Sequence, residues 1–163
     1  MSYETNPFPT TDVDRHAIWE MLVHRDIDAF LEQDWSMVKD DFVTDRFLGM
    51  HAHGRSNPDS WRLGFPNLTI YRDEWLRQAA HSAAVKYAEP LRAALFRITT
   101  LRDIDLGDSV AVVHKKFDGE IAKADGSLEA LNWQTLYFCA KVDGVWKISG
   151  FVGYLPFSLG SKT

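Results

Sequence analysis

The C-terminal third of the chain contains the stretch LNWQTLYFCAKVDGVWKISGFVGYL, which runs from Leu131 to Leu155. The pair Asp143-Gly144 divides it into two β-rich halves, which is typical of a hairpin closed by a two-residue type I′ turn. Counting outward from that turn places one set of side chains on a common face of the sheet: Trp133, Thr135, Tyr137, Cys139, Trp146, Ile148, Val152 and Tyr154. This face is mainly aromatic, with a few polar groups.

A second hairpin precedes it, with Val110 to Phe117 turning at Asp125-Gly126. Without a bulge, this register adds Val110, Val112 and His114 to the aromatic face, with His114 opposite Tyr137. The other face then carries a second apolar set: Val113, Phe117, Leu136, Phe138 and Phe151. Because both faces are too apolar for water, we expect helices on one and a second copy of the chain on the other.

Helical spacing of apolar residues predicts two short N-terminal helices, with breaks near Arg25 and Gln33, and a third helix from about Thr69 to Tyr87. Strands are predicted from Phe42 to His53 and from Leu91 to Thr99. The sequence between them, Arg55 to Asn67, is predicted to be a loop that folds over the protein as a flap. This order predicts an α+β fold, in which a curved antiparallel sheet forms a cone with three to four helices on its concave face.

Composition limits the classes of function. The 163 residues are enough for a single domain over residues 1–163, with residues 1–10 expected to form a flexible tail. A net charge of −5 without a basic run argues against a nucleic-acid partner. There is one cysteine and no apolar run of membrane-spanning length, so we expect a cytoplasmic protein without a membrane partner. Six tryptophans and ten phenylalanines favour an aromatic cavity or a buried interface.

The closing hairpin Asp143-Gly144-Val145-Trp146-Lys147-Ile148-Ser149-Gly150, together with this element order, resembles the nuclear transport factor 2-like superfamily over nearly the whole chain. Within it, the motifs are most similar to the SnoaL-like and scytalone dehydratase-like branch. Scytalone dehydratase shares the D-G-V-W-K hairpin, and its early helix has an acid followed by Asp-Trp, which correspond here to Asp28, Asp34 and Trp35. The second sheet histidine of that enzyme has no counterpart, so a different substrate, or no reaction, is expected.

The resemblance implies that Asp28 moves a proton during catalysis. A carboxylate at the mouth of an aromatic cone is desolvated, which brings its pKa toward neutrality and suits it to acid-base work. His114 and Tyr137 would then stabilise a developing oxyanion. The simpler alternatives are that Asp28 caps a helix or faces water, and that His114 is a core histidine hydrogen-bonded to Tyr137.

The remaining candidates would line the pocket. Trp19, Trp61, Trp75, Trp133 and Tyr154 would wall a flat apolar ligand, although such aromatics are more often core. Polar candidates are His24, His51, His53 and Thr135, with Val152 beside them. His51 and His53 would share one face of a strand, as metal ligands often do, but spacing identifies no third ligand, so neither metal nor cofactor is expected.

We therefore predict a small-molecule pocket protein, with a cofactor-independent lyase, isomerase or cyclase activity on an apolar or aromatic carbonyl compound as the specific form. The alternative is a non-catalytic ligand-binding or assembly module, including a role like that of a ring-hydroxylating dioxygenase small subunit. The enzyme requires Asp28 and His114 to face a shared cavity, whereas the binding module requires only the cavity. An assembly subunit requires neither.

Overall fold

A six-stranded sheet is the centre of the computed structural model, which describes residues 3–156. Its strands are β1 Leu48–His51, β2 Arg62–Phe65, β3 Thr99–Leu106, β4 Val110–Ala122, β5 Leu128–Val142 and β6 Val145–Pro156. Their order across the sheet is β2-β1-β6-β5-β4-β3. Neighbouring strands are antiparallel except that β1 runs parallel to β6, so the sheet is mixed rather than wholly antiparallel.

Four α-helices complete the α+β fold: α1 Val13–Trp19, α2 Asp26–Glu32, α3 Leu68–Ala84 and α4 Leu91–Ile98. A π-helical segment, Glu20–Arg25, joins α1 to α2, so the predicted break near Arg25 is wrong and the helical chain runs on to Glu32. The break near Gln33 is confirmed, because Gln33 ends α2 in the left-handed conformation with φ 53°.

The predicted strand from Leu91 to Thr99 is instead helix α4, followed by β3. Leu91, Ala94, Leu95 and Ile98 recur at helical spacing, and Pro90 stands at the N-cap, where its missing N–H costs nothing. The three fully buried members of this set pack into the core. The periodicity of the apolar residues was therefore the correct signal.

The predicted strand from Phe42 to His53 shortens to Leu48–His51. Two 3₁₀ turns, Trp35–Met37 and Lys39–Asp41, precede it. The predicted loop Arg55 to Asn67 contains a 3₁₀ turn at Pro58–Ser60 and the short strand β2. This segment therefore extends the sheet at its edge, and its movement as a flap stays a prediction.

The hairpin between β5 and β6 has the predicted turn. Asp143 and Gly144 have φ values of 50° and 79°, and Val142 lies opposite Val145. These are the positive angles that a type I′ turn requires, and aspartate and glycine tolerate them best.

The register of the hairpin at Asp125-Gly126 differs from the predicted register by one residue. Ala122 lies opposite Leu128, whereas a two-residue turn would require Ala124 opposite Ser127. Since a slip of one residue moves every side chain of a strand to the other face, β4 is inverted relative to the prediction. Val113 therefore lies opposite Tyr137, and His114 lies opposite Leu136 on the outer face.

Register shifts between β5 and β6 invert part of β6 in the same way. Tyr137 pairs with Phe151, so Phe151 is on the inner face and Val152 on the outer one. The main core lies between the helices and the inner face, and Val113 and Phe151 belong to it. Of the predicted outer-face set, Val113, Phe117 and Phe151 are thus inside, whereas Leu136 and Phe138 are outside.

The outer face carries a smaller apolar cluster, formed by Ala52, Val152 and Leu155 with Met50, Trp61 and Leu136 packed against it. At the N-terminus, Met1 and Ser2 lie outside the described residues. The rest of the predicted tail contacts the first helix: the Asn6 amide donates to the His16 carbonyl at 3.0 Å, and Phe8 packs against the main core.

Candidate functional site

A cavity of about 290 Å³ opens between the helices and the inner face of β4, β5 and β6. This volume is near the lower end of the range for small-molecule pockets. Its wall is largely aromatic: Phe30, Tyr71, Trp75, Phe117, Trp133, Tyr137, Phe151 and Tyr154. The excess of aromatic residues in the sequence therefore surrounds an open space as well as filling the core.

One ion pair lies in this aromatic wall. Lys115 Nζ donates to Asp26 Oδ2 at 2.9 Å and to the Leu22 carbonyl at 2.5 Å. The other carboxylate oxygen, Asp26 Oδ1, accepts from Trp75 Nε1 at 3.2 Å. The Lys115 side chain is 1% exposed, whereas that of Asp26 is 32% exposed, so the carboxylate is the more accessible partner.

Local structure explains this placement. Asp26 is the first residue of α2, directly after the π-helical segment that contains Leu22. The carbonyl that Lys115 binds therefore belongs to a segment with altered helical hydrogen bonding. Lys115 reaches it from the middle of β4, where it lies opposite Thr135 on the inner face. A buried lysine is tolerated there because it is both paired and hydrogen-bonded.

Two buried tyrosines stand near the carboxylate. Tyr71 and Tyr137 both line the cavity together with Asp26. Burial raises the pKa of each phenol well above its ordinary value, and the Asp26 charge raises it further. Both hydroxyls therefore keep their protons at neutral pH and act as hydrogen-bond donors or acceptors rather than as bases.

A third tyrosine enters the cavity from a bulge in β6. Gln134 pairs with Leu155 and Leu136 with Val152, which leaves Gly153 and Tyr154 together opposite Thr135. Tyr154 has φ 57°, and its hydroxyl accepts from Gln78 Nε2 at 2.7 Å. Bulges of this kind redirect side chains, and here the bulge turns the Tyr154 ring toward α3 and the cavity.

The rim of the cavity is polar. The Tyr87 hydroxyl donates to Glu129 Oε2 at 2.6 Å, and this bond together with burial raises the tyrosine's pKa. Arg77, His81 and Ser82 on α3 complete this side of the lining. The cavity therefore has apolar walls with polar groups at the ion pair and at the rim, a combination that binds a mainly apolar molecule in one orientation.

Five of the residues proposed from sequence line this cavity: Trp75, Trp133, Thr135, Tyr137 and Tyr154. Asp28 is not among the lining residues. It forms an ion pair with Arg92 and lies 3.5 Å from His24 Nε2, on a different side of the helix from Asp26. Side chains two positions apart on a helix point in different directions, so only one of these two carboxylates can face the cavity.

His114 also lies outside the cavity, because the one-residue difference in the hairpin places it on the outer face. The predicted pairing of Asp28 with His114 is therefore not formed. Lys115, its neighbour, takes the inward position. This exchange places a lysine rather than a histidine beside Asp26.

The other predicted site residues are elsewhere in the fold. Trp19 is core, and His24 bonds Glu20 Oε2 at 2.8 Å on the helix surface. Trp61 and Val152 belong to the outer cluster. The rings of His51 and His53 stack at 4.0 Å, and His51 also stacks on Tyr154 at 4.1 Å, so these histidines support a wall residue without lining the cavity themselves.

Several site residues were missed from the sequence. Neither Asp26 nor Lys115 is among the site residues predicted from the sequence. The strand Val110 to Phe117 contains two adjacent lysines, Lys115 and Lys116. Because side chains alternate along a strand, one of them faces inward, and a buried lysine requires a partner. Tyr71, Gln78 and Glu129 carried no local signal that separates them from surface or core residues. Over residues 3–156, no cluster of three or more metal-ligating side chains is present.

Comparison with solved structures gives the fold. An NTF2-like protein of unknown function from Pseudomonas putida KT2440 superposes with a TM-score of 0.58 at 12% identity, covering 95% of this chain and 94% of that one. The chain has a nuclear transport factor 2-like fold. A nuclear transport factor 2-like superfamily protein from Salmonella enterica also matches, with a TM-score of 0.54, 15% identity and coverages of 95% and 96%.

A third nuclear transport factor 2-like protein, from Methylobacillus flagellatus KT, matches with a TM-score of 0.54 and 15% identity, over 94% of this chain and 98% of that one; its function is unknown. No family model and no curated protein matches the sequence. At these identities the likeness concerns the nuclear transport factor 2-like fold alone. Within residues 3–156, none of the helices has the length and apolar character needed to cross a membrane.

Proposed function

We propose that the chain binds a small, mainly apolar or aromatic carbonyl compound in the cavity and acts on it by cofactor-independent acid-base chemistry. The observation that supports this proposal is the Asp26 carboxylate, which lies in an aromatic cavity beside Lys115 and the Tyr71–Tyr137 pair. Lyase, isomerase and cyclase reactions through an enol all need one base and one oxyanion donor in a dry site. Asp26 replaces Asp28 as the proposed acid-base residue.

Each residue has one task in this scheme. Asp26 Oδ1, whose only protein donor among the described residues is Trp75, takes a proton from the carbon next to the carbonyl. Tyr137 donates a hydrogen bond to the enolate oxygen, and its raised pKa keeps its own proton in place. Asp26 then returns the proton to another carbon in an isomerisation, or to a departing hydroxyl group in a dehydration.

A purely ligand-binding function is the second candidate, and a specific observation favours it. Lys115 Nζ donates to Asp26 Oδ2 at 2.9 Å, so one of the two carboxylate oxygens is already engaged within the protein. In this case Asp26 would only accept a hydrogen bond from a ligand hydroxyl. A cytoplasmic location is compatible with either function and stays a prediction.

Proton exchange separates the two candidates without knowledge of the natural substrate. We would incubate the protein with 1-tetralone in D₂O and follow loss of the signal from the carbon next to the carbonyl by NMR. Binding would be measured in parallel by equilibrium dialysis. Catalysis predicts accelerated exchange that falls at least tenfold in Asp26→Asn and is unchanged in Asp28→Asn, because Asp28 is two residues away but outside the cavity.

The outcomes are distinct. Binding without exchange would support the ligand-binding candidate, and exchange that persists in Asp26→Asn would remove Asp26 from the mechanism. Absence of both binding and exchange, for this ketone and for larger aromatic ketones, would contradict the proposal. If Asp26→Asn proves unstable, the double variant Asp26→Asn with Lys115→Met removes the carboxylate without leaving a buried unpaired ammonium.

We also propose that the outer sheet face pairs with a second copy of the chain. Phe138 and Leu48, both exposed, lie on either side of Gly150, and the half-buried Leu136 is on the same face. Apolar side chains grouped in this way are typical of an interface. Sedimentation velocity should show a dimer that Phe138→Glu converts to a monomer, whereas Val13→Glu, at an exposed position on α1, should leave the dimer intact.

A further inference from the structure

The Gln78 amide determines whether the Tyr154 hydroxyl donates or accepts a hydrogen bond in the cavity. Gln78 Nε2 donates to Tyr154 Oη at 2.7 Å and to Glu74 Oε1 at 3.0 Å. An amide nitrogen has two hydrogens, so both are used and the Tyr154 oxygen is the acceptor. Among the residues the structure describes, the Tyr154 O–H has no hydrogen-bond acceptor of its own. Its proton is left available on a side chain that lines the cavity.

Glu74 fixes the orientation of the Gln78 amide. Its carboxylate accepts from Arg77 Nε at 2.8 Å and from Arg77 Nη2 at 2.5 Å, and these bonds lower its pKa to about 2. An ionised carboxylate only accepts hydrogen bonds. If the Gln78 amide turned over, its oxygen would meet the carboxylate, so the orientation with nitrogen toward both Glu74 and Tyr154 is strongly preferred.

The Tyr154 ring is also held in place. Its φ of 57° belongs to the bulge opposite Thr135, and the His51 ring stacks on it at 4.1 Å with an interplanar angle of 14°. A non-glycine residue keeps such a backbone conformation only where the surroundings enforce it, and such positions concentrate at binding sites. The hydroxyl is therefore a pre-positioned donor.

This donor is separate from the polar groups at Asp26. Trp75, which contacts Asp26, and Gln78, which contacts Tyr154, lie three residues apart on α3. That spacing corresponds to about 4.5 Å along the helix axis. A ligand oxygen at Tyr154 would therefore be distinct from the carbonyl oxygen that Tyr137 contacts in the proposed function.

We propose that Tyr154 recognises a second oxygen of the ligand, one that only accepts a hydrogen bond, and that Gln78 and Glu74 are positioning residues that hold Tyr154 as the donor. This inference rests on the proposed function and narrows its ligand class to aromatic carbonyl compounds with an additional ether or carbonyl oxygen.

The test compares matched probes by equilibrium dialysis. The probes are 1-tetralones with a methoxy group at carbon 5, 6 or 7, each paired with the corresponding ethyl compound, which replaces the ether oxygen by CH₂. The wild-type protein should bind at least one methoxy isomer about threefold to tenfold more tightly than its ethyl partner. This difference in affinity corresponds to the net free energy of one neutral hydrogen bond. Tyr154→Phe should remove this preference and leave the affinity for the ethyl compound unchanged.

Two further variants test the positioning role. In Gln78→Glu the new carboxylate accepts the Tyr154 proton, so the methoxy preference should be lost although Tyr154 is present. The control is Asp73→Asn on the same helix, which changes an exposed side chain paired with Arg72 and should keep the preference. Circular dichroism and the exchange of unsubstituted 1-tetralone report whether each variant is folded with an intact Asp26 region.

The results distinguish this inference from the proposed function. Equal affinity for every methoxy and ethyl pair in the wild-type protein would overturn the inference. A preference that persists in Tyr154→Phe would also overturn it, while Asp26-dependent binding or exchange would leave the proposed function standing. If no tetralone binds and no exchange occurs, the proposed function fails and the inference fails with it.

Discussion

The two partners of the Lys115–Asp26 ion pair should differ in the cost of their removal. Removing one member of a buried pair costs about 3–5 kcal/mol when the remaining charge is fully buried. Asp26→Asn leaves the Lys115 ammonium, which is 1% exposed. The amide that replaces the carboxylate has a single oxygen, so it cannot accept from both Lys115 and Trp75. We therefore expect a loss of about 3 kcal/mol in the free energy of unfolding.

In Lys115→Met, the residue left unpaired is the more exposed member of the ion pair. The unpaired charge is then on Asp26, whose side chain is 32% exposed and keeps its hydrogen bond from Trp75. Partial hydration reduces the cost, and methionine fills a similar volume, so we expect a loss of about 1–2 kcal/mol. The double variant, which leaves no charge, should be more stable than Asp26→Asn alone.

Urea unfolding at pH 7, followed by circular dichroism, measures these differences. For a domain of this size a loss of about 3 kcal/mol corresponds to a fall in Tm of roughly 6–12 °C. Asp28→Asn is the matched control, because its ion pair with Arg92 is partly exposed and should contribute less than about 1 kcal/mol. The reasoning is refuted if Lys115→Met is as destabilising as Asp26→Asn, or if the double variant does not recover stability.

Two further predictions concern single positions. The Arg77 hydrogen bonds lower the pKa of Glu74 from 4.5 to about 2, so the unfolded chain takes up this proton first as the pH falls. The contribution to stability, about 1 kcal/mol after screening, is present above about pH 4.5 and is lost toward pH 2. The urea midpoints of wild type and Glu74→Gln should therefore converge at low pH, and a constant gap would contradict this. In Gly150→Ala, a Cβ would collide with the Leu48 backbone carbonyl, which predicts a loss of about 1–3 kcal/mol; an unchanged urea midpoint would show that β1 can move aside.

The chemistry of the candidate site was only partly accessible from the sequence. Aromatic content and the Asp143-Gly144 turn placed Trp133, Thr135 and Tyr137 on one face, and all three line the cavity. A motif assigned the acid-base role to Asp28, yet of these two aspartates it is Asp26 that lines the cavity. The rotation of a helix about its axis is set by packing, and the run of apolar residues in this segment does not distinguish the two positions.

Local sequence determined the elements that depend on interactions between residues close together in the chain. The type I′ turn follows from the conformational tolerance of aspartate and glycine, and the end of α2 at Gln33 and the α+β order follow from short-range periodicity. The tertiary structure decided the register of β4, the bulge at Tyr154 and the burial of Lys115. Each depends on one residue more or less within a hairpin. Because the side chains of a strand alternate, that single residue determines whether histidine or lysine faces the cavity.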